Sequence, residues 1–210
     1  MFAAKRLGKE LQKARQRLPP GITLVKAEDL KTWEMDIKVL DDNPLYKNQT
    51  YRLVFIFPQN YPIEPPEVTF LYVPANTSTT PIFSQSQSIP GSFETESAQT
   101  STNGESRDMS NSVQDNGYRP IPIHPHIYSN GIICLDLLGT AGWSPVQSVE
   151  SVCMSLQSML TGNTKNERPQ GDREFCASMG PRGKDGWSSK SGWGRRGLKD
   201  VRFSYDDDTV

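Results

Sequence analysis

The chain has 210 residues, with 23 Lys and Arg against 24 Asp and Glu and a formal net charge of -1, so no overall charge draws it to nucleic acid or to a membrane surface. No apolar run approaches the ~18 residues of a membrane span, and the basic start lacks the hydrophobic segment of a secretory signal. Three cysteines, at 134, 153 and 176, form an odd set without CxxC spacing; this argues against a disulfide framework and for a reducing compartment, cytoplasmic or nuclear.

Residues 2 to 17 read as an amphipathic helix. Phe2, Ala3, Leu7, Leu11 and Ala14 recur at helical spacing among strong helix formers, and Pro19-Pro20-Gly21 ends it. The outward face is expected to carry Lys5, Arg6, Lys9, Lys13, Arg15 and Arg17 against the single acid Glu10. Such a face is either simply solvated or a docking surface for an acidic partner, because clustered charge of one sign speeds encounter with the other.

From Ile22 to Val73 the pattern shifts to period two and short apolar runs, at 22–25, 32–40, 51–57 and 68–73, each bounded by Pro, Gly, Asn or Asp. These predict four sequential strands of an antiparallel meander. A helix followed by a meander predicts an α+β domain. Four prolines between 58 and 66 make the connection before the last strand a stiff loop.

Residues 75 to 117 break the pattern. Sixteen of the 36 residues from Thr77 to Ser112 are Ser or Thr, a composition that buries too little apolar surface to offset the entropy of ordering. A disordered insertion is expected, with a phosphorylated regulatory loop as its functional alternative.

The run Ile123-His124-Pro125-His126-Ile127-Tyr128-Ser129-Asn130-Gly131-Ile132-Ile133-Cys134-Leu135 holds both histidines of the chain. Ser129-Asn130-Gly131 is a turn signal, and the apolar residues after it read as a short extended segment that sets Cys134 beside a tight bend at the surface. Next comes a predicted helix from Pro145 to Leu160, with Ser144 as N-cap and Gln147 completing a capping box. Val146, Val149, Val152, Cys153, Leu156, Met159 and Leu160 form its apolar stripe, which makes Cys153 a core residue. Residues 170–210 are Gly-, Ser- and charge-rich and read as a mostly flexible tail. Trp187 and Trp193 near Arg195 and Arg196 are a weak signal for RNA stacking.

The central run resembles the active-site segment of ubiquitin-conjugating enzymes, in which His-Pro-Asn precedes an Asn-Gly turn and a thioester-forming cysteine followed by Leu. Here His126 stands in place of the asparagine. That departure, with Trp143-Ser144-Pro145 and the aromatic then acidic end Phe203-Ser-Tyr205-Asp206-Asp207-Asp208, is most similar to the W-type branch, which modifies protein N-termini. Asn43-Pro-Leu-Tyr46 and Tyr61-Pro-Ile-Glu-Pro-Pro66 also match the family pattern, whereas its third and fourth helices are not visible in the sequence.

The resemblance implies a ubiquitin-conjugating-enzyme fold over 1–74 and 118–169, interrupted by the insertion. It implies Cys134 as acceptor of the ubiquitin C-terminus, Lys5, Arg6 and Lys9 as the face for the activating enzyme, and Ile63, Pro145 and Val146 as the face for a RING-type or U-box ligase. His126 is expected as oxyanion donor, general base or loop brace, and His124 as a ring packed under the loop at the catalytic segment. Protein substrates are the acceptors, and neither nucleic acid nor membrane is expected as a partner. A zinc site of His124, His126 and Cys134 lacks a fourth ligand, so neither metal nor cofactor is expected.

Amine acidity bears on the acceptor. At pH 7 a lysine with pKa near 10.4 is only about 0.04% neutral, and an α-amine near 7.7 is roughly 15% neutral. Lysine-directed members of the family carry an acidic residue after the second helix. Here Thr161-Gly-Asn-Thr-Lys-Asn-Glu167 offers only Glu167 beside Lys165, which favours α-amine acceptors. A lysine-directed enzyme for ubiquitin or a ubiquitin-like modifier, a non-catalytic scaffold and a thiol hydrolase are the alternatives.

Overall fold

A computed structural model describes residues 2–75 and 117–179. The residues from 76 to 116 and from 180 onward, including Trp187, Trp193, Arg195, Arg196 and the aromatic-acidic end, lie outside the described residues, so the expectations of a disordered insertion and a flexible tail fall there.

The order of elements is α1 (Phe2–Gln16), β1 (Ile22–Lys26), β2 (Thr32–Lys38), β3 (Thr50–Ile56), β4 (Glu67–Leu71), a 3-10 turn at Asp136–Leu138, α2 (Val149–Thr161) and α3 (Asp172–Met179). The four strands form one antiparallel sheet in sequence order, as the alternating pattern predicts. Alternation sets the register: Trp33 pairs with Phe55 and Phe55 with Val68, while Met35 pairs with Leu53 and Leu53 with Phe70. One sheet face thus gathers Trp33, Met35, Ile37, Leu53 and Phe55, all fully buried.

Against that face lie Leu7 of α1 and Val149, Val152, Cys153, Leu156 and Leu160 of α2. The stripe spacing of three and four residues points these side chains to one side of each helix. Cys153 is fully buried, and loss of water pushes its thiol pKa up.

The predicted start of the second helix requires correction. α2 begins at Val149, capped by Ser148, whose side chain accepts from the Ser151 N–H while the Ser151 hydroxyl accepts from the Ser148 N–H. Tertiary contacts hold the preceding residues out of the helix: the Arg6 guanidinium donates to the Gln147 carbonyl at 2.8 Å, and Trp143 Nε1 donates to the Pro62 carbonyl at 2.8 Å. Val146, expected in the apolar stripe, is instead 82% exposed.

The basic face of α1 is also narrower than expected. Arg6 is bound to Glu10 and Gln147, and Lys13 pairs with Glu150 at 2.8 Å, while Lys5 and Lys9 are exposed. The helix α3 lies within the stretch read as a tail.

The segments flanking the insertion are joined at their base. Val73 and Arg119 exchange backbone hydrogen bonds of 2.8 and 2.9 Å, and the buried Arg119 guanidinium sits 2.9 Å from Asp36 in β2. Two buried charges are tolerated there because they satisfy one another, with Arg52 completing the set on Asp36 and Glu34.

Candidate active site

Residues 121–138 are held to β4 and to one another by isolated bridges and turns. The Asn130 side chain accepts from the Ile132 N–H at 3.1 Å, closing the turn that Ser129-Asn130-Gly131 predicts. Gly131 has φ +92, and a Cβ there would fall 2.0 Å from the Phe70 carbonyl oxygen. That close approach lets the Phe70 N–H donate to the Gly131 carbonyl at 2.8 Å, so β4 fixes the turn.

Two backbone bonds then bring the predicted residues together. The Cys134 N–H donates to the His126 carbonyl at 2.8 Å, and the His126 N–H donates to His124 Nδ1 at 2.9 Å. His126 is half-buried, and its ring centre lies 5.5 Å from that of His124. His124 is buried under the loop, as expected, with its ring also hydrogen-bonded to the Met159 backbone of α2.

Burial, and secondarily the neighbouring His126, lower the His124 pKa to about 4. It is therefore neutral near pH 7, with Nδ1 free of a proton and able to accept. His124 acts as a brace linking the active-site run to α2.

Three further residues hold this run, and sequence reasoning did not assign them these roles. The Tyr46 hydroxyl donates to the Ile123 carbonyl at 2.7 Å and accepts from Asn163. Asn43 donates to the carbonyls of Thr161 and Asn163 at the end of α2. The Asn43-Pro-Leu-Tyr46 motif thereby ties the end of α2 to the segment before His124. Arg168 donates to the carbonyls of Ile121, Pro122 and Ile127 at 3.2, 2.7 and 3.0 Å. Its five-donor fork suits such a cluster of acceptors. For Tyr46 the signal was its place in a family motif; Arg168 gave none.

The expectation of a surface thiol requires correction. Cys134 is only 7% exposed and packs with Tyr128, Ile132 and Met179, in a cluster separate from the main core. Met179 of α3 belongs to that cluster and Phe175 and Cys176 pack against it, a helix that the sequence does not announce.

Elsewhere the expected surfaces are exposed. Ile63 is 70% exposed, and Pro145 and Val146 are open to solvent. The Trp143 bond to Pro62 draws their two loops together. Tyr61, next to Pro62, donates through its hydroxyl to Glu10 at 2.8 Å, and Glu10 also accepts from the Val149 N–H at 2.9 Å. In the loop after α2, Lys165 and Glu167 are exposed and 3.7 Å apart. No group of three or more potential metal ligands occurs among the described residues.

The fold pins a cysteine beside a His-Pro-His turn on a helix and a four-stranded meander, and comparison with known proteins gives the class. A family model for ubiquitin-conjugating enzymes matches residues 6–79 and 117–179. The chain is 31% identical to ubiquitin-conjugating enzyme E2 W of Caenorhabditis elegans over 81% of its own length and 82% of that protein. It is 29% identical to ubiquitin-conjugating enzyme 15 of Arabidopsis thaliana, over 100% and 91%. The crystal structure of a ubiquitin-conjugating enzyme E2 from Agrocybe aegerita superposes with a TM-score of 0.58 at 33% identity, covering 82% of this chain and 92% of that one.

The chain belongs to the ubiquitin-conjugating enzymes. Relatives of the W type at about this identity agree with the branch that His126 suggests. Enzymes of this family work with ubiquitin, an activating enzyme and a ligase.

Proposed function

We propose that Cys134 takes the ubiquitin C-terminus as a thioester from the activating enzyme and passes it to an amine, preferentially the α-amine of a protein N-terminus. In the first step the Cys134 thiolate attacks the incoming thioester carbonyl and the donor thiolate leaves. In the second, the amine attacks the Cys134 thioester, and the tetrahedral oxyanion collapses with loss of the Cys134 thiolate.

The observation that carries the reading is the pinned pair: the backbone of His126 is bonded to Cys134 on one side and His124 on the other. With its backbone bonded to that of Cys134, His126 carries a candidate hydrogen-bond donor to the oxyanion or acceptor of the amine proton. The preference for α-amines is supported by the loop after α2, where the exposed Glu167 faces Lys165 and offers little acidic, desolvating help to a lysine acceptor. Lys5 and Lys9, with Arg6 tethered at their side, are proposed to meet the activating enzyme; Ile63, Pro145 and Val146 are proposed to meet a RING-type or U-box ligase. A cytoplasmic or nuclear setting is proposed on the cysteine content.

The test is single-turnover discharge of the Cys134 thioester to two acceptors. A lysine-free peptide with an open N-terminus is expected to discharge it at least tenfold faster than free lysine with a blocked α-amine, and faster discharge to the lysine refutes the preference. The thioester band is expected to vanish in Cys134→Ala.

A further inference from the structure

We propose that α3 is a displaceable cover over Cys134, and that the cysteine is charged only when this helix has swung away. The helix touches the site along one stripe. Asp172, Phe175, Cys176 and Met179 stand at spacings of three and four residues, so they share a face. The other face, Arg173, Glu174, Ala177 and Ser178, is exposed.

Contacts from that stripe reach the active-site run itself. Phe175 stacks on Tyr128 with ring centres 3.9 Å apart and an interplanar angle of 26°. The Ser129 N–H donates to Asp172 Oδ1 at 2.7 Å, and the Ser129 hydroxyl lies 3.3 Å from Cys176 Sγ. Met179, 4% exposed, completes the cluster with Cys134.

The chain before α3 is built to pivot. Arg168 is fixed to three carbonyls of the active-site run, and Pro169 is buried behind it. Two residues on, Gly171 adopts φ +72 with nothing within 4 Å of the position its Cβ would take. A fixed point, an unencumbered glycine and a short helix held by one face make a hinge and a lid.

Attack on a thioester requires the carbonyl carbon within roughly 3–3.5 Å of the sulfur. A thiol 7% exposed, in one apolar cluster with Met179, offers a protein-borne thioester no such approach. The apparent charging rate then scales with the fraction of molecules in which α3 is open.

Only the consequence for charging rests on the proposed function; the cover itself is testable with no ubiquitin present. The full chain is treated with iodoacetamide, and alkylation of Cys134 and Cys153 is followed by mass spectrometry. Cys153, sealed in the main core, reports general loosening. The double variant Asp172→Ala/Phe175→Ala is expected to raise the Cys134 rate about tenfold, from the lost stack and charged hydrogen bond, with Cys153 unchanged. A Cys134 rate that stays the same, or rises only in step with Cys153, overturns the proposal.

The opposite arm uses Ser129→Cys, which puts a second thiol opposite Cys176. Oxidised glutathione is expected to join residues 129 and 176, and the locked chain to resist alkylation at Cys134 and charging until a phosphine reductant releases it. A locked chain that reacts as fast as the reduced one, or failure of that bridge to form, counts against the cover. A Cys134 that is uncovered as expected but never accepts ubiquitin refutes the functional reading and leaves the cover standing.

Discussion

The main core and the small cluster at Cys134 are both apolar and buried, yet they are built for different ends. The first joins four β-strands, α1 and α2 through large, fully buried side chains such as Trp33, Phe55 and Leu156, with aromatic contacts running Phe55, Phe57, Tyr61 and Trp143. The second has four buried members on the active-site run and one short helix. Cooperative stability comes from many partners per residue. A cluster with few members opens at low cost, which suits a place where chemistry must be reached.

The sharpest way to break this comparison is to truncate each cluster. Phe55→Ala is expected to cost about 4 kcal/mol in urea unfolding, whereas Cys134→Ala is expected to cost less than about 1 kcal/mol while removing all thioester formation. Similar losses at the two positions would make them parts of one core.

An intermediate effect is expected from acid. His124 has a folded pKa of about 4 against 6.5 in its unperturbed state, so between those values the unfolded chain binds more protons. Its contribution to stability is full above about pH 6.5, falls as pH drops, and is lost below about pH 4. After a discount for partial solvent screening, the loss is about 2 kcal/mol. Urea midpoints between about pH 7 and pH 4 are expected to fall more steeply in the native chain than in His124→Asn.

The smallest effect on folding is expected at the proposed ligase face. Ile63→Ala with Val146→Ala is expected to change stability by under about 0.5 kcal/mol, because both side chains are mostly exposed. Charging of Cys134 is expected to persist while ligase-stimulated discharge falls at least tenfold. A parallel loss of charging would show that these residues serve the active-site cluster instead.

The α1 pattern and the meander were legible because local periodicity and packing agree: residues at period two face one core, and the four runs pair with their neighbours. The first turn of α2 was misread because two serines compete as caps. Ser144-x-x-Gln147 has the signature, but the carbonyl of Gln147 is taken by Arg6 and Trp143 is held to Pro62, so Ser148 caps the helix. Those partners lie far away in sequence. For the same reason the six basic side chains expected on the outward face of the first helix did not all prove free, as Glu10 and Glu150 claim two of them.

Within the site, the turn and the proximity of Cys134 to both histidines were legible from the Asn-Gly signal and short spacing. The roof was not. Phe175, Cys176 and Met179 make an apolar stripe of only three residues, and its meaning depends on Tyr128 standing opposite.

The paired hydrogen bonds between Val73 and Arg119, backed by the buried contact with Asp36, make a closed doorway in the catalytic domain. Chain that leaves at one jamb must return at the other, whatever its length. Ring-closure entropy grows only with the logarithm of that length, about 0.6 kcal/mol for each doubling. Natural variation at this doorway can therefore lengthen, shorten or rewrite the intervening passage with little thermodynamic penalty, and the fold would register scarcely any difference.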